Sequence, residues 1–155
     1  LAKFTSHVVL VDNYAVQRST DRGKNGLGSL IRRLDETARD STLTVYSSSL
    51  DRDSKDAPAP LEWVASSIKG GLRQVEVRLL EARDFPKITH DRFLRFDTFV
   101  AELGAGVELF EGERTRRLTT FTLKPDGQKQ RDLEEKLRAH SRRKWTWKRR
   151  EAAPA

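Results

Sequence analysis

The chain has 155 residues and no cysteine, which excludes disulfide bonds and thiolate metal sites. Hydrophobic residues at 36% and charged residues at 34% fit one domain with a modest core and a heavily solvated surface. The 30 lysines and arginines exceed the 23 acidic residues, and the net charge of +7 favours a polyanionic partner: nucleic acid, an anionic membrane or a phosphorylated ligand.

Membrane insertion and secretion find no support in the sequence. No apolar run approaches the ~20 residues of a membrane-spanning helix. The opening residues also lack the apolar core of a secretory signal. We therefore expect a cytoplasmic protein without a transmembrane segment, and the absence of methionine indicates a domain of a longer protein.

The first predicted element is the apolar run of residues 7–12, which is typical of a buried central strand. Asn13 and Tyr14 follow at its carboxyl end, where α/β sheets place their ligand sites. The basic loop 17–26 lacks the Gly-Lys-Ser/Thr ending of a P-loop. A solvated loop explains it, and closure over a phosphate chain is the alternative.

Two helices and three strands follow in alternation. Apolar residues that recur every three or four positions predict helices over 27–39 and 60–68. Alternating apolar and polar side chains predict strands over 42–46 and 74–79, and a further strand is expected over 88–96. The order β-α-β-α-β-β fits an α/β fold, a sheet sandwiched by helices.

The last predicted elements are a strand over 98–103, a strand over 118–123 and a charged helix over roughly 128–142. Gly104 and Gly106 stand after the first of these strands. They allow the backbone to turn tightly and to approach a ligand closely.

Residues 87–110 concentrate the chemistry of the chain. His90, Arg92 and Asp97 have the spacing His-x-Arg-x4-Asp. On a strand His90 and Arg92 would share one face, and Asp91 would point away. Because a guanidinium offers a fork of charged donors, and an imidazole can donate, accept or attack, the pair suits a phosphate. On this spacing alone, an exposed edge strand with a chance His–Arg pair explains the residues better.

The longer pattern resembles the motif of the phospholipase D superfamily, His-x-Lys-x4-Asp followed six residues later by a glycine and a small residue. His90, Asp97 and Gly104 stand at the matching positions, whereas Arg92 takes the place of the lysine and Ala105 that of the small polar residue. Segment 104–110 is most similar to the phospholipase D-like C-terminal domain of MIT-domain proteins and its bacterial relatives.

The resemblance is sharpest over 87–110 and extends through the order of elements over 7–142. It implies a phospholipase D-like mixed sheet flanked by helices on both faces, in a single-motif domain of residues 1–142. It also implies that His90, Arg92, Gly104 and Tyr14 contact phosphate. Bacterial domains of this type often carry an Asp-x-Tyr step after the first strand, which would place Asp12 and Tyr14 at the pocket. Strand termination with a core tyrosine explains those two residues equally well.

Two functions follow from this resemblance. Eukaryotic members are regarded as non-catalytic binding modules for acidic phospholipid. We expect a non-catalytic module that binds a phosphodiester backbone, with nucleic acid preferred over lipid, inside a larger bacterial protein such as an antiviral system. The alternative is a metal-independent phosphodiesterase or nuclease. It would act as a homodimer in which His90 of each copy meets at the dimer axis and Asp97 orients His90.

The arginine at position 92 argues against catalysis more than against phosphate binding, so enzyme activity is left open. We expect no cofactor. We also expect no metal site, because His7, His90 and His140 do not stand at ligand spacing.

The basic tail, residues 143–155, is a second candidate surface. Six cations surround two tryptophans over 142–150, and cations track a phosphate backbone while indole rings stack on bases. The predicted nucleic-acid-binding residues are Arg142, Arg143, Lys144, Trp145, Trp147, Lys148 and Arg149. The alternative is a cationic helix end with both tryptophans packed on the domain.

Overall fold

The computed structural model of the chain describes residues 2–16, 26–49, 68–111, 121–125 and 127–149. The predicted loop 17–26 and the predicted helix 60–68 fall almost entirely outside these residues. The predicted strand 118–123 falls partly outside them.

Seven strands form one mixed sheet within the described residues. In chain order they are β1 (His7–Val11), β2 (Ser41–Ser48), β3 (Leu72–Leu80), β4 (Phe93–Phe96), β5 (Phe99–Leu103), β6 (Phe121–Pro125) and β7 (Arg143–Lys148). Their spatial order is β6-β5-β4-β1-β2-β3-β7. Strands β1, β2 and β3 run parallel, whereas β4 is antiparallel to β1 and β7 is antiparallel to β3. Strands β5 and β6 continue the antiparallel side beyond β4.

The helices of the described chain are α1 (Gly26–Thr37), α2 (Phe85–Ile88) and α3 (Gln128–His140). Two 3-10 helices, Ala2–Phe4 and Gly106–Phe110, precede β1 and follow β5. The apolar residues of α1 recur at helical spacing and are buried as one stripe. None of the described helices is long and apolar enough to cross a membrane.

The sheet is covered on both faces because the side chains of its central strands alternate between two buried sets. Val8 and Leu10 of β1 pack with the apolar stripe of α1. Val9 and Val11 point the other way and pack with α2 and with Leu137 of α3. The predicted α/β class, with a mixed sheet and helices on both faces, is confirmed.

The strand predicted over 88–96 is wrong in its first half. Pro86 stands in the first turn of α2, a position that suits proline, and this helix ends only at Ile88. The amide of Asp91 then donates a hydrogen bond to Oγ1 of Thr89 at 2.9 Å, which forms a turn. Residues 89–92 are therefore a loop, and β4 begins after them.

The separation of a tail at residue 143 is corrected as well. Residues 143–148 form β7, an integral strand of the sheet whose register pairs Trp145 with Val77 and Trp147 with Val75. The helix predicted over 128–142 ends at His140. The chain then returns along β3, so the basic segment is part of the domain.

A buried ion pair joins α3 to β4. The guanidinium of Arg95 donates from Nε and Nη2 to the two carboxylate oxygens of Glu134, at 2.5 Å and 2.6 Å. The two side chains are only 8% and 7% exposed. The remaining Arg95 nitrogen, Nη1, donates to the carbonyl of Asp97 at 2.8 Å. Each charge is matched, which is the condition for keeping a pair out of water without a large penalty.

Removing one partner of this pair leaves the other charge buried and unmatched. We expect Glu134→Ala to lower the free energy of unfolding by roughly 3–5 kcal/mol. The double variant Arg95→Leu/Glu134→Leu should recover most of that loss, because apolar side chains of similar volume replace the pair. Urea denaturation of both variants measures the difference, and a double variant no more stable than Glu134→Ala would contradict this role.

His7 lies beside the ion pair on the same face of the sheet. Its Nε2 is 3.0 Å from Oγ1 of Thr44. Burial, and then the positive charge of Arg95, lower the pKa of the His7 imidazole below 6.5; the carboxylates of Glu134 and Asp97 oppose this without reversing it. The folded chain therefore favours neutral His7.

This shift makes stability depend on pH. At pH values between about 6.5 and the lower pKa of the folded chain, His7 is protonated in the unfolded chain but largely neutral in the folded chain. The free energy of unfolding should therefore be highest above pH 6.5 and should fall as the pH drops below it. Urea midpoints from pH 7.5 to 5.5 test this. His7→Gln should flatten the profile in that window, and His140→Gln, which retains His7, should leave the fall in place.

Candidate functional site

Three loops meet where the parallel strands of the sheet have their carboxyl ends, and this side of the sheet is called its carboxyl edge. Val11 at the end of β1 pairs with Phe93 at the start of β4, and Phe93 pairs with Glu102 near the end of β5. The loops after β1, before β4 and after β5 are therefore neighbours. This edge also holds the carboxyl ends of the parallel strands, where open α/β sheets place ligands.

Asp12 ties two of these loops together. Its side chain is 2% exposed. Its Oδ1 accepts from the amide of Tyr14 at 2.9 Å, and its Oδ2 accepts from the amide of Val107 at 2.7 Å. Because both oxygens serve backbone amides, Asp12 holds the loop after β1 to the loop after β5. The resemblance placed it at the pocket, and the structure assigns it this holding role.

Gly106 lies against the same carboxylate. Its φ of +62° is in the left-handed region, and a Cβ at this position would stand 2.2 Å from Oδ2 of Asp12 and 3.0 Å from Cδ of Arg92. Both the backbone conformation and the close contact require glycine. The predicted glycine turn is therefore confirmed at Gly106.

His90, Asp91 and Arg92 form the border between two clefts. The smaller cleft is about 130 Å³ and the larger about 390 Å³. The smaller is also lined by Asn13, Tyr14, Phe85, Pro86 and Thr89; the larger also by Phe93, Glu102, Leu103, Gly104 and Gln130. The loop before β4 thus brings together the predicted residues His90, Arg92, Gly104 and Tyr14. It also turns Asp91, predicted to face away, into both clefts.

The guanidinium of Arg92 rests on an aromatic ring. Its central carbon is 5.4 Å from the centroid of Tyr14, a cation–π contact that fixes the group without using its N–H donors. Among the described residues no carboxylate forms an ion pair with Arg92. The nearest acid in sequence, Asp91, faces Nζ of Lys129 at 3.6 Å, and both side chains are largely exposed. The donors of Arg92 are therefore available to an anion.

Asp97 lies at the opposite end of β4 from His90. Its carboxylate accepts from the amides of Ser6 and His7 at 3.1 Å and 3.2 Å, and from Oγ of Ser6 at 3.2 Å. Because β4 runs antiparallel to β1, a residue after β4 stands beside the start of β1, while His90 stands beside its end. The prediction that Asp97 orients His90 is therefore wrong within one chain. Asp97 instead holds the β4–β5 turn against β1.

The predicted nucleic-acid-binding residues of the basic segment do not share one surface. Trp145 and Trp147 are half-buried and pack against the core on the α1 face. Lys144 and Lys148 are exposed on the other face of the strand. A base stacked on these indoles would therefore lie across the sheet from these lysines. The alternative in which both tryptophans pack on the domain is the one that the structure favours.

The two ends of this segment also lie at opposite edges of the sheet. The amide of Arg142 donates to the carbonyl of Leu79 at the carboxyl end of β3, the same edge as the clefts. Arg149 binds Asp40 at 2.7 Å and also the carbonyl of Gly70, both beside the amino end of β3. Arg142 and Arg143 thus lie at the same edge as the clefts, three strands beyond β1, whereas Arg149 lies at the opposite edge.

Sequence reasoning gave little weight to Asn13 and Thr89, which both line the smaller cleft. Oδ1 of Asn13 is buried and has no hydrogen-bond partner in the described part of the chain. The available signal was the position of Asn13 directly after the first strand. Thr89 gave no local signal, because its hydroxyl acts only in the turn that ends at Asp91.

Comparisons with protein-family models, with curated proteins and with solved structures find no match to this chain. Within the described ranges no group of three or more histidine, aspartate or glutamate side chains is placed to hold a metal ion.

Substitution of Gly106 should disturb the clefts, and a second glycine gives a matched control. Gly70 also has a positive φ, +138°, but a Cβ there meets nothing within 4 Å. Gly70→Ala should therefore lower the free energy of unfolding only by backbone strain, of order 1–3 kcal/mol. Gly106→Ala adds the clash with Asp12 and should destabilise the fold more. Urea denaturation compares the two, and a loss in Gly106→Ala of only about 1–2 kcal/mol, the cost of a left-handed residue alone, would mean that the Asp12 contact is unimportant.

Proposed function

We propose that the chain is a non-catalytic, phospholipase D-like module that binds the phosphodiester backbone of nucleic acid. The observation that carries this proposal is the placement of Arg92 and His90 on the shared border of two clefts, with the donors of Arg92 not taken up by any described carboxylate. Such an arrangement suits a group that offers several negatively charged oxygens.

The chemistry of the Arg92 guanidinium favours phosphate binding. Arginine keeps its charge at every physiological pH and grips two phosphate oxygens through two parallel N–H donors. The Tyr14 ring beneath the guanidinium limits its motion, so less side-chain entropy is lost when the anion binds. His90 is exposed next to it and can donate a further hydrogen bond.

Catalysis is disfavoured by the position of the motif aspartate. A nucleophilic imidazole needs a partner that holds its orientation, and Asp97 binds Ser6 and His7 at the other end of β4. The homodimeric phosphodiesterase thus lacks the carboxylate on which its motif depends within each copy. Assembly as a homodimer or within a larger cytoplasmic bacterial protein is part of the proposal, on the strength of the motif resemblance.

Nucleic acid is preferred to acidic phospholipid as the ligand. The net charge of +7 is spread over many segments, which suits a long polyanion. Arg142 and Arg143 lie at the same edge of the sheet as the clefts, three strands beyond β1, within the reach of a long polyanion and beyond that of a single headgroup.

Binding should depend on Arg92 and on salt. We expect Arg92→Ala to weaken binding of labelled DNA or RNA about ten- to a hundredfold, the range for hydrogen bonds to a charged group. It should also reduce the slope of log affinity against log salt by about one. Fluorescence anisotropy across a salt series, with EDTA present, measures both. Arg73→Ala removes the same charge from the amino end of β3, near Asp40, and should have a much smaller effect.

The same binding mixtures distinguish a non-catalytic binding module from a phosphodiesterase. Analysis of the nucleic acid on a denaturing gel should show no cleavage. Cleavage that disappears in His90→Ala would replace the proposal with the phosphodiesterase. Binding to vesicles containing acidic phospholipid, with no binding to any nucleic acid, would mean that the ligand is the phospholipid.

A further inference from the structure

The side chains of β7 alternate between an apolar face and a charged face of the sheet. Trp145 and Trp147 pack with the core on the α1 face. The three side chains that point to the α3 face are all exposed, and none of them is apolar: Lys144, Thr146 and Lys148. Helix α3 packs with the central strands through Leu137. The part of this face that β7 forms is therefore open to solvent.

An ion pair on β3 lies beside these lysines. Nε of Arg78 donates to Oε1 of Glu76 at 2.5 Å, and the two side chains are 18% and 14% exposed. The register places Arg78 opposite Lys144 and Glu76 opposite Thr146. Oε2 of Glu76 is 4.0 Å from Nζ of Lys144, which is too far for a hydrogen bond. Because Arg78 already neutralises Glu76, the charges of Lys144 and Lys148 remain in excess.

Arg138 of α3 adds a further cation at the border of this face. Its Nε donates to the hydroxyl of Tyr46 at 3.5 Å, and Tyr46 is the β2 partner of Arg78. The hydrogen bond to Tyr46, and then the negative charge of Glu76, raise the pKa of the Arg138 guanidinium, so this cation lies near the β3 ion pair. Arg138 is exposed. The β7 surface is the name used below for Arg138, Lys144, Thr146 and Lys148.

The chemistry of the β7 surface suits a phosphate backbone better than a protein partner. Protein interfaces are anchored by aromatic and apolar side chains, whereas the β7 surface consists of three cations and a hydroxyl. Positive charge remains in excess even with Glu135, an exposed acid one turn before Arg138. Cations without aromatic neighbours contact phosphates and leave the bases unread, because base stacking requires an aromatic ring.

We propose that the β7 surface is a second, sequence-independent contact for the phosphodiester backbone of a nucleic acid. The inference rests on the proposed function in requiring nucleic acid as the ligand, and it extends the footprint beyond the clefts. β7 is three strands from β1. At about 4.8 Å per strand this separation is roughly 14 Å, which a backbone of a few nucleotides spans. One strand of nucleic acid can thus contact Arg92 and the β7 surface together.

The first test removes the two lysines of the β7 surface. We expect Lys144→Ala/Lys148→Ala to weaken binding of single-stranded DNA roughly tenfold and to reduce the slope of log affinity against log salt by about two. Lys3→Ala/Lys69→Ala removes two exposed lysines from other surfaces and should have a much smaller effect. Fluorescence anisotropy uses an all-pyrimidine and an all-purine probe of about 16 nucleotides, a length that one small domain can occupy. Both probes should lose affinity equally.

The outcomes separate this surface from the clefts. A loss no larger than that of the control variant, together with a loss in Arg92→Ala, would overturn the β7 surface and leave the proposed function intact. A loss confined to one probe would overturn sequence independence. A loss in the lysine variant with none in Arg92→Ala would overturn the site at the clefts instead. Tighter binding of a polyglutamate peptide than of either probe, through the same lysines, would replace nucleic acid with an acidic protein.

A second test has the opposite sign. Glu76→Gln removes the acid beside the lysines and keeps a side-chain acceptor for Arg78. Both probes should therefore bind severalfold more tightly, with the salt slope increased by about one. Glu36→Gln removes the same charge from an exposed position of α1 and should change the affinity less. Urea denaturation confirms that both variants fold. Unchanged or weaker binding by folded Glu76→Gln would contradict a phosphate contact at the β7 surface.

Discussion

The antiparallel pairing of β4 with β1 decides where the functional groups of this chain can lie. Because β4 runs antiparallel to the central strand β1, the loop before β4 lies at the carboxyl ends of the parallel strands. The last residue of β4 lies at their amino ends. His90 and Arg92 thereby meet the loop that follows β1. Asp97, seven positions after His90 in the sequence, is carried a full strand length away. A motif that looks contiguous in sequence is divided between two edges of the sheet.

The local pattern of apolar residues was sufficient to predict β1 and α1. The apolar run of β1 and the stripe of α1 have the periodicities of a buried strand and an amphipathic helix, and both elements lie where these patterns place them. The class of fold follows from their alternation. Asp12 was found at the end of the first strand, but its function depends on the amide of Val107, 95 residues away, which no local pattern encodes.

The two failures at β4 and β7 have physical causes of the same kind. Residues 89–92 contain β-forming and polar residues, yet the turn made by the Thr89 hydroxyl and the helix opened by Pro86 outweigh strand propensity. In β7 the alternation of lysine with tryptophan is a strand pattern, but the density of charge suggested a solvated tail. Long-range pairing with β3 gives the tryptophans an apolar surface to cover, and this partner is invisible in the segment itself.

Both ends of the described chain lie at the edge of the sheet away from the clefts. Ala2–Phe4 precede the start of β1, and Arg149 is bound beside the amino end of β3. Since the chain has no cysteine, one introduced at the exposed Lys3 or Lys148 would be a unique attachment point. A molecule tethered to a sensor chip through either position would present its clefts towards the solution. The topology of the sheet thus supplies a fixed orientation for surface-based binding measurements.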